Sequence, residues 1–138
     1  MKKQRLFSLL AAVVLITAGS LCAQTTDRPV KANIPFDFEA GNKSYPAGAY
    51  RVSPISQMGD LSIAGYGLTS GLASSHSIQS NSPSGSTKLV FHRYGDRYFL
   101  YQIWVAGEDR GRELPTTRVE KELASNATAS PVVIMAQK

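Results

Sequence analysis

Side chains that could catalyse a reaction are few in this sequence. Histidine occurs twice, as His76 in a serine-rich stretch and as His92 in a run of aromatic residues. The nucleophile elbow Gly-x-Ser-x-Gly is absent. The sequence therefore predicts no catalytic residues. Because serine triads assemble in space rather than along the chain, one enzymatic alternative stays open: a small hydrolase of the cell envelope in which His92 works with Asp96 or Glu113.

Metal-ligating side chains show no spacing that predicts a metal site. The patterns His-x-x-x-His, paired cysteines and Asp-x-Asp-x-Asp-Gly are all absent. Glu108 and Asp109 are adjacent carboxylates, and we expect them to be solvated residues of a turn. The sequence thus predicts neither a metal nor a cofactor.

Arginine and tyrosine are concentrated in one part of the sequence. The members of this cluster are Arg93, Tyr94, Arg97, Tyr98, Arg110 and Arg112. These two residue types anchor many interfaces through cation–π contacts and planar hydrogen bonding. We therefore take the cluster as the candidate binding site, with Arg110 and Arg112 in the loop after the aromatic runs. The alternative is a structural role, in which Arg97 pairs with Asp96 or Glu113.

A β-hairpin is predicted around Gly95-Asp96, because runs rich in aromatic and β-branched residues lie on both sides. A two-residue loop with glycine first fits a type II′ turn. Tyr94 then pairs with Arg97. Extended along both strands, this register predicts one core-facing set: Leu89, Phe91, Tyr98, Leu100 and Trp104. The opposite face carries an apolar set that must also be covered: Val90, Phe99, Tyr101 and Ile103.

A helix after the hairpin would supply part of that cover. Thr117 can cap the helix, and Glu120, three residues on, can reach back to complete a capping box. Val119 and Leu123 are four residues apart and form a narrow apolar stripe. We expect the helix to end at Asn126.

The other segments predict short strands and turns. Residues 30–40 alternate between apolar and polar, and Pro35 indicates an edge strand or one whose hydrogen bonding is interrupted there. Residues 79–86 are rich in serine and predict a loop. Residues 131–136 are continuously apolar, as in a strand buried on both sides. The chain is therefore predicted to be mainly β, an antiparallel β-sandwich or small barrel with one short helix in its C-terminal half.

The N-terminus has the layout of a secretory signal peptide. Three basic residues precede an apolar run over residues 6–18, shorter than the roughly 20 residues that a transmembrane helix needs. We place cleavage after Ala23, which leaves residues 24–138 as a single β-rich domain without a membrane span. Lipidation of Cys22 is the alternative, and the bulk of the preceding Leu21 argues against it.

Charge argues against nucleic acid as a partner. The chain has 15 basic and 10 acidic side chains, a formal net charge of +5. Three of the basic residues lie in the predicted leader, so the mature domain has only a small positive excess. A nucleic-acid-binding protein needs a basic face or a stacking platform with excess positive charge. We therefore expect an envelope protein or a glycan as the partner.

Four sequence segments support a resemblance. They are IPFDF at residues 34–38, PAGAYRV at 46–52, KLVFHRYGDRYFL at 88–100 and GRELP at 111–115. In this order they make the chain from residue 30 to residue 124 similar to a family of small secreted acidobacterial proteins of unknown function. The resemblance implies an exported bacterial protein, and it implies no activity and no functional residue.

The leading hypothesis is an exported, non-enzymatic module that binds a partner in the periplasm or outside the cell. The signal peptide and the absence of a catalytic motif favour it. Besides the envelope hydrolase, a second alternative is a structural subunit that assembles by strand addition at the edge containing Pro35.

Overall fold

The computed structural model describes residues 28–67 and 69–138. The predicted leader, residues 1–23, and Cys22 within it lie outside these residues. The described part of the chain forms β-strands and one helix, α1. In chain order they are β1 (Val30–Ile34), β2 (Phe38–Ala40), β3 (Lys43–Tyr45), β4 (Gly48–Pro54), β5 (Asp60–Gly65), β6 (Ser70–Ser74), β7 (His76–Gln79), β8 (Lys88–Tyr94), β9 (Arg97–Trp104), β10 (Arg110–Glu113), α1 (Arg118–Ala124) and β11 (Ser130–Met135).

The strands form two sheets with a common core. The first sheet has four antiparallel strands in the order β1-β4-β5-β6. The second has the order β11-β8-β9-β10-β7, and the hairpin β2-β3 joins it where β2 runs parallel to β9. The predicted mainly β sandwich with one short helix is thus confirmed, and the sheets do not close into a barrel.

Side chains from both sheets fill the space between them. The first sheet contributes Val30, Ala32, Ile34, Tyr50, Val52, Leu61, Ile63 and Ala73 to this core. The second sheet and its connections contribute Phe38, Ala40, Tyr45, Leu89, Phe91, Leu100, Ile103 and Leu114. At one side the backbones of Lys31 and Gln137 exchange two hydrogen bonds, of 2.7 and 2.8 Å, which join the two sheets.

The alternation over residues 30–40 spans two strands rather than one. The buried positions are those expected from the pattern, but β1 ends at Ile34 and β2 begins at Phe38. Pro35 lies between them, where the chain leaves the first sheet and enters the second. Strand β1 is also an edge of its sheet. Both features that Pro35 indicated, an edge strand and an interruption, are present.

The hairpin β8-β9 has the predicted turn. Gly95 has φ +61°, whereas the following Asp96 lacks a positive φ, as a type II′ turn requires. Tyr94 pairs with Arg97, as predicted. The register holds from there to the pair Phe91 and Leu100.

Beyond that pair the predicted register is wrong. A β-bulge between Val90 and Phe91 leaves Tyr101 without an opposite residue, so Leu89 pairs with Ile103. A bulge sets two residues of one strand against one of the other and reverses the faces beyond it. Ile103 therefore enters the core, whereas Trp104, predicted to be a core residue, is half-buried on the outer face.

The helix begins as predicted but presents a different face. The Thr117 hydroxyl accepts a hydrogen bond from the Glu120 N–H at 3.2 Å. The carboxylate of Glu120 does not complete a capping box, because it points inward to the ring of His92. Glu120 is the buried residue of this helix, while Val119 is exposed and Leu123 is half-buried. The predicted apolar stripe is therefore not what covers the hairpin.

The helix and the last strand have different limits and surroundings from those expected. The helix ends at Ala124, earlier than the predicted Asn126. Strand β11 is the outer strand of its sheet and is not buried on both sides. Val132 packs against the core, whereas Val133 and Met135 are exposed.

The connection between β7 and β8 is the loop predicted for residues 79–86, shifted by one residue. Residues 110–113, expected to lie in a loop, instead form strand β10 between β9 and β7. None of the helical segments within 28–67 and 69–138 has the length and apolarity needed to cross a membrane.

Candidate functional site

The predicted arginine and tyrosine cluster is divided between two places. Its hairpin members are Arg93, Tyr94, Arg97 and Tyr98, all near the β8-β9 turn. Arg110 and Arg112 lie on β10, which pairs with the other end of β9, where Arg112 is opposite Ile103. Ile103 is five residues further along the strand than Tyr98, a distance of about 17 Å. The two groups therefore cannot bind one small ligand together.

Arg93 and Tyr98 belong to a stack of side chains at the hairpin end. The Arg93 guanidinium lies 5.5 Å from the centre of the Tyr98 ring, and its Nε donates to the Gly95 carbonyl at 2.7 Å. The other partner of the Tyr98 ring is Phe36, stacked at 3.8 Å between ring centres. These contacts attach the turn to the segment between β1 and β2.

Arg97 holds β2 beside β9. Its guanidinium forms an ion pair with Glu39 on β2, with 3.1 Å between Nε and Oε1, and lies 5.4 Å from the centre of the Phe99 ring. The partners predicted for Arg97, Asp96 and Glu113, are not the ones it has. Sequence reasoning missed Glu39 because the two strands are brought together only by the tertiary fold.

His92 is oriented by a buried carboxylate. Its Nδ1 lies 2.8 Å from Oε1 of Glu120, which is 4% exposed, and its ring is stacked on Tyr101 at 3.8 Å. The Tyr94 hydroxyl donates to the same oxygen at 3.4 Å. Burial, together with the nearby charge of Glu120, raises the pKa of Tyr94, so this hydroxyl keeps its proton.

The carboxylate partner of His92 is therefore Glu120, not the Asp96 or Glu113 that the hydrolase alternative named. A carboxylate on Nδ1 fixes the ring and leaves Nε2 to act as a base. Among the hydrogen bonds of the described residues, none joins a serine or threonine hydroxyl to His92. The pair thus supplies two of the three members of a catalytic triad, the base and its carboxylate, without a nucleophile hydrogen-bonded to the base.

Glu113 is at the centre of a second polar group, on the outer face of the second sheet. It accepts a hydrogen bond from Gln102 at 2.7 Å and lies 3.4 Å from Nε2 of His76. Burial alone would raise the pKa of Glu113, but hydrogen bonds from Gln102 and Tyr101 and the nearby His76 lower it. Burial and the Glu113 carboxylate raise the pKa of Tyr101. These contacts tie β7, β9 and β10 together.

The two remaining arginines of the cluster line a cleft between the sheets. It encloses about 500 Å³ at one open end of the sandwich. One wall is polar and belongs to the second sheet, with Arg110 and Arg112 on β10 and Ser77 on β7. Arg28 and Lys138 complete the cationic lining, and Glu108 is the lining carboxylate.

The apolar residues around the cleft come from both sheets. The first sheet supplies Val30, Val52, Pro54 and Leu61, and the end of β9 with the residue after it supplies Ile103 and Val105, on the same side as the arginines. Pro54 and Val105 are half-buried, whereas the other four belong to the core and are at most 5% exposed. Arg110 and Arg112 are two residues apart, so both lie on the face of β10 that is turned toward the first sheet. Arg112 is half-buried there, whereas Arg110, at the start of the strand, is exposed. Neither takes part in the ion pairs found among residues 28–67 and 69–138, which involve Glu39, Glu113, Glu120 and Glu122.

The connection between β4 and β5 forms the edge of the cleft. Gly59 has φ +106°, and a Cβ there would lie 2.0 Å from the Ser75 carbonyl oxygen and 3.4 Å from Nη1 of Arg112. A side chain at this position would therefore collide with the backbone of Ser75, which connects β6 to β7. This close approach brings the loop against Arg112.

The sequence named Arg110 and Arg112 but not the cleft around them. Their spacing of two residues is the signal that could have found it, because alternate residues of a strand share a face. Strand β10 was not predicted, since Arg110–Glu113 has no apolar alternation. The facing residues come from strands β1, β4 and β5, which only the sheet packing brings opposite.

The described part of the chain has no group of three or more His, Cys, Asp or Glu side chains arranged to hold a metal ion. Comparison with known proteins adds no functional information. No family model matches the chain, and neither a curated protein nor a solved structure does.

Proposed function

We propose that this protein is an exported, non-enzymatic binding module that holds an anionic ligand in the cleft between its sheets. The observation that carries the proposal is that Arg110 and Arg112 line the cleft from the face of β10 turned toward the first sheet, whereas Glu108 is the one acidic side chain among the described lining residues. Arg28 adds a further positive charge from the segment before β1.

The energetics of charge burial favour this function. Removing a guanidinium from water costs free energy unless it is paired and hydrogen-bonded. The half-buried Arg112 has no carboxylate within ion-pair distance among the residues that the structure describes. A ligand carboxylate, phosphate or sulfonate would accept the planar donors of both arginines and supply the missing charge.

The hairpin residues of the predicted binding cluster have partners within the protein, so we assign the binding role to Arg110 and Arg112. Export is part of the proposal, supported by the signal-peptide pattern of residues 1–23 and by the resemblance to secreted proteins. A partner in the envelope or outside the cell is therefore expected, in the form of an anionic glycan, lipid or protein group.

The proposal is tested with the fluorescent sulfonate 1-anilinonaphthalene-8-sulfonate and the full chain. Trp104 is the only tryptophan, and its ring packs against Gly111 between the two arginines. Because Trp104 is on the outer face of this sheet, energy transfer from it reports that the probe is bound, and the arginine variants report whether it is bound in the cleft. We expect saturable binding at one site, weakened about tenfold by Arg112→Ala or Arg110→Ala, the loss of about 1.4 kcal/mol of charge-assisted hydrogen bonding.

The matched control is Arg118→Ala, because Arg118 is 93% exposed on the helix and pairs with Glu122. This variant should bind the probe as the wild type does. Circular dichroism establishes that each variant is folded. Equal probe affinity in wild type, Arg110→Ala and Arg112→Ala would contradict the assignment of the cleft.

A further inference from the structure

We infer that a second cleft, on the outer face of the second sheet, binds a neutral sugar. This outer cleft is lined by the indole ring of Trp104, by the serine-rich connection between β7 and β8, and by Lys88. It is separate from the cleft of the proposed function, because Arg110 and Arg112 lie on the other face of β10. The sugar site therefore does not depend on the anion site.

The indole ring of Trp104 is held against β10 in one orientation. Trp104 pairs with the buried Gly111, where ring atoms Cε3 and Cδ2 would lie 2.8 and 2.9 Å from a Cβ, so only glycine leaves room for the ring. At the edge of the ring, Nε1–H donates to the Gln102 side-chain oxygen at 3.1 Å. Gln102 in turn donates to Glu113 at 2.7 Å. One face of the ring thus covers Gly111, and the other is turned away from the sheet.

The serine-rich connection forms the other side of the outer cleft, and backbone hydrogen bonds hold it in place. The Ser80 N–H donates to the Asp109 carbonyl at 2.8 Å. The Ser84 N–H donates to the Glu108 carbonyl at 2.8 Å, and the Gly107 N–H donates to the Ser84 carbonyl at 2.9 Å. A site that is already ordered loses little conformational entropy when a ligand binds.

The chemistry of the lining matches a sugar. Three serines of the connection line the outer cleft: Ser80, Ser82 and Ser84. Serine hydroxyls both donate and accept hydrogen bonds, as sugar hydroxyls do. The face of a pyranose ring carries C–H groups that can pack on an aromatic ring, and Trp104 is half-buried, so part of its ring is open. The cleft encloses about 380 Å³, within the range of about 300–1,000 Å³ for small-molecule sites.

Other classes of ligand fit the outer cleft less well. A nucleic acid needs several cationic side chains for its phosphates, whereas Lys88 is the one charged residue among the described residues that line this cleft. A purely apolar ligand would cover the serine hydroxyls without giving them hydrogen-bond partners. A sugar can stack on Trp104 and exchange hydrogen bonds with the serines and Lys88 at the same time.

The experiment is titration of the full chain with neutral hexasaccharides of glucose, xylose, mannose and N-acetylglucosamine. Binding is followed by isothermal titration calorimetry and by the fluorescence of Trp104, which is the only tryptophan in the sequence. We expect saturable binding of at least one hexasaccharide in the millimolar range, with a shift of the Trp104 emission. The open-chain polyol sorbitol has hydroxyls but no ring face, so it should not bind saturably.

Two glycines give a matched pair of variants. Gly85→Leu adds a side chain at an exposed position of the outer cleft, where a Cβ would meet no atom within 4 Å, so the fold should be unaffected. It should weaken sugar binding by about tenfold or more. Gly67→Leu is the control, because Gly67 is equally exposed and unobstructed but lies between β5 and β6. It should bind as the wild type does.

Trp104→Ala tests the stacking partner itself. Calorimetry should show binding weakened by about tenfold, as expected when a ligand loses an aromatic face. Circular dichroism establishes that this variant is folded, and Gly85→Leu tests the site independently of it.

Each contrary outcome has a definite meaning. Unchanged sugar affinity in Gly85→Leu would overturn the assignment of the outer cleft, and absence of saturable binding by every hexasaccharide would overturn the sugar. Analytical ultracentrifugation tests a second copy of the chain as the occupant. A wild-type dimer that dissociates in Gly85→Leu, without sugar binding, would assign this face to self-association and also overturn the inference. Sulfonate binding that ignores Arg110 and Arg112 would overturn the proposed function and leave the sugar site standing.

Discussion

At the scale of single residues, two core tyrosines have opposite hydrogen-bonding situations. Tyr45 and Tyr50 are both buried, and their rings meet edge to face with 5.8 Å between centres. The Tyr50 hydroxyl donates to the Pro46 carbonyl at 2.6 Å. The Tyr45 hydroxyl is buried without a hydrogen-bond partner in the part of the chain that the structure describes. Burial raises the pKa of both hydroxyls, so both are protonated at neutral pH.

Removing these hydroxyls should have different effects. We expect Tyr45→Phe to leave the free energy of unfolding unchanged or to raise it by about 1 kcal/mol, because it removes an unsatisfied buried group. Tyr50→Phe should lower it by about 1 kcal/mol, because a hydrogen bond is lost. Urea unfolding of the two variants beside the wild type measures both. A larger loss in Tyr45→Phe than in Tyr50→Phe would be inconsistent with the structure.

At the scale of elements, the hairpin β8-β9 combines a turn set by local sequence with a bulge set by packing. Gly95 is in the left-handed region, which costs other residues free energy because of their Cβ atom. The bulge at Tyr101 brings Leu100 and Ile103, three residues apart, to the same face. The same bulge places the Tyr101 ring on His92. The strand thereby serves the core on one side and the polar groups on the other.

The turn prediction compares two glycines. Gly95→Ala should lower the free energy of unfolding by about 1 kcal/mol, because alanine is strained at φ +61°. Gly85→Ala is the matched control, since Gly85 lacks a positive φ and a Cβ there would meet no atom within 4 Å. It should leave stability unchanged or raise it slightly. Chemical denaturation gives both values, and equal losses at the two positions would contradict the type II′ turn.

At the scale of the whole molecule, stability depends on how separate parts of the chain are joined. Arg97 and Glu39 join β9 to β2, and Glu120 joins the helix to β8. The Glu113 carboxylate joins β10 to Gln102 on β9 and to His76 on β7. These contacts link residues far apart in the sequence, and each includes a carboxylate. Of these carboxylates, Glu113 has a pKa lowered by the fold, so acid should weaken the junction of β7, β9 and β10.

Glu113 gives this pH dependence a direction. Its pKa is lower in the folded protein than the ordinary value of 4.5, so it stabilises the fold above that pH. The contribution is lost as the pH falls through the folded pKa. Glu113→Gln should therefore make the melting temperature fall less steeply below about pH 4.5 than in the wild type. Thermal unfolding between neutral pH and pH 3 measures the slopes.

The control for this prediction is Glu122→Gln, because Glu122 is 65% exposed and its pair with Arg118 lies on the helix surface. Its melting curve should follow the wild type across the whole pH range. If Glu113→Gln and the wild type lost stability in parallel as the pH fell, the stabilising role of the Glu113 carboxylate would be wrong.

Much of the fold could be predicted because its causes are local. Alternation over residues 30–40 identified the buried positions of two strands, and Gly95-Asp96 identified the turn with its nearest pairs. Thr117 identified the helix start. The continuous apolar run at 131–136 misled, because burial on two faces depends on the place of a strand in its sheet. Val133 and Met135 are exposed since β11 is an outer strand.

The candidate site was predictable only in part. The sequence named Arg110 and Arg112 by residue type, grouped with hairpin residues that lie elsewhere. It also named His92, but not the Glu120 carboxylate that orients it. The capping pattern assigned Glu120 to the helix backbone instead. A carboxylate can accept hydrogen bonds from several donors within reach, and only the packed structure selects among them.

The sequence by itself determined the class of the protein: a mainly β domain with one short helix, whose turns and caps follow from local backbone preferences. Only the tertiary structure decided the bulge at Tyr101, the ion pairs of Arg97 and Glu120, and the cleft that Arg110 and Arg112 line together with residues of the other sheet. The physical reason is the distance along the chain over which each interaction acts. Side-chain alternation and turn geometry act between residues close in the chain, whereas a cleft forms between strands that the chain brings together from far apart.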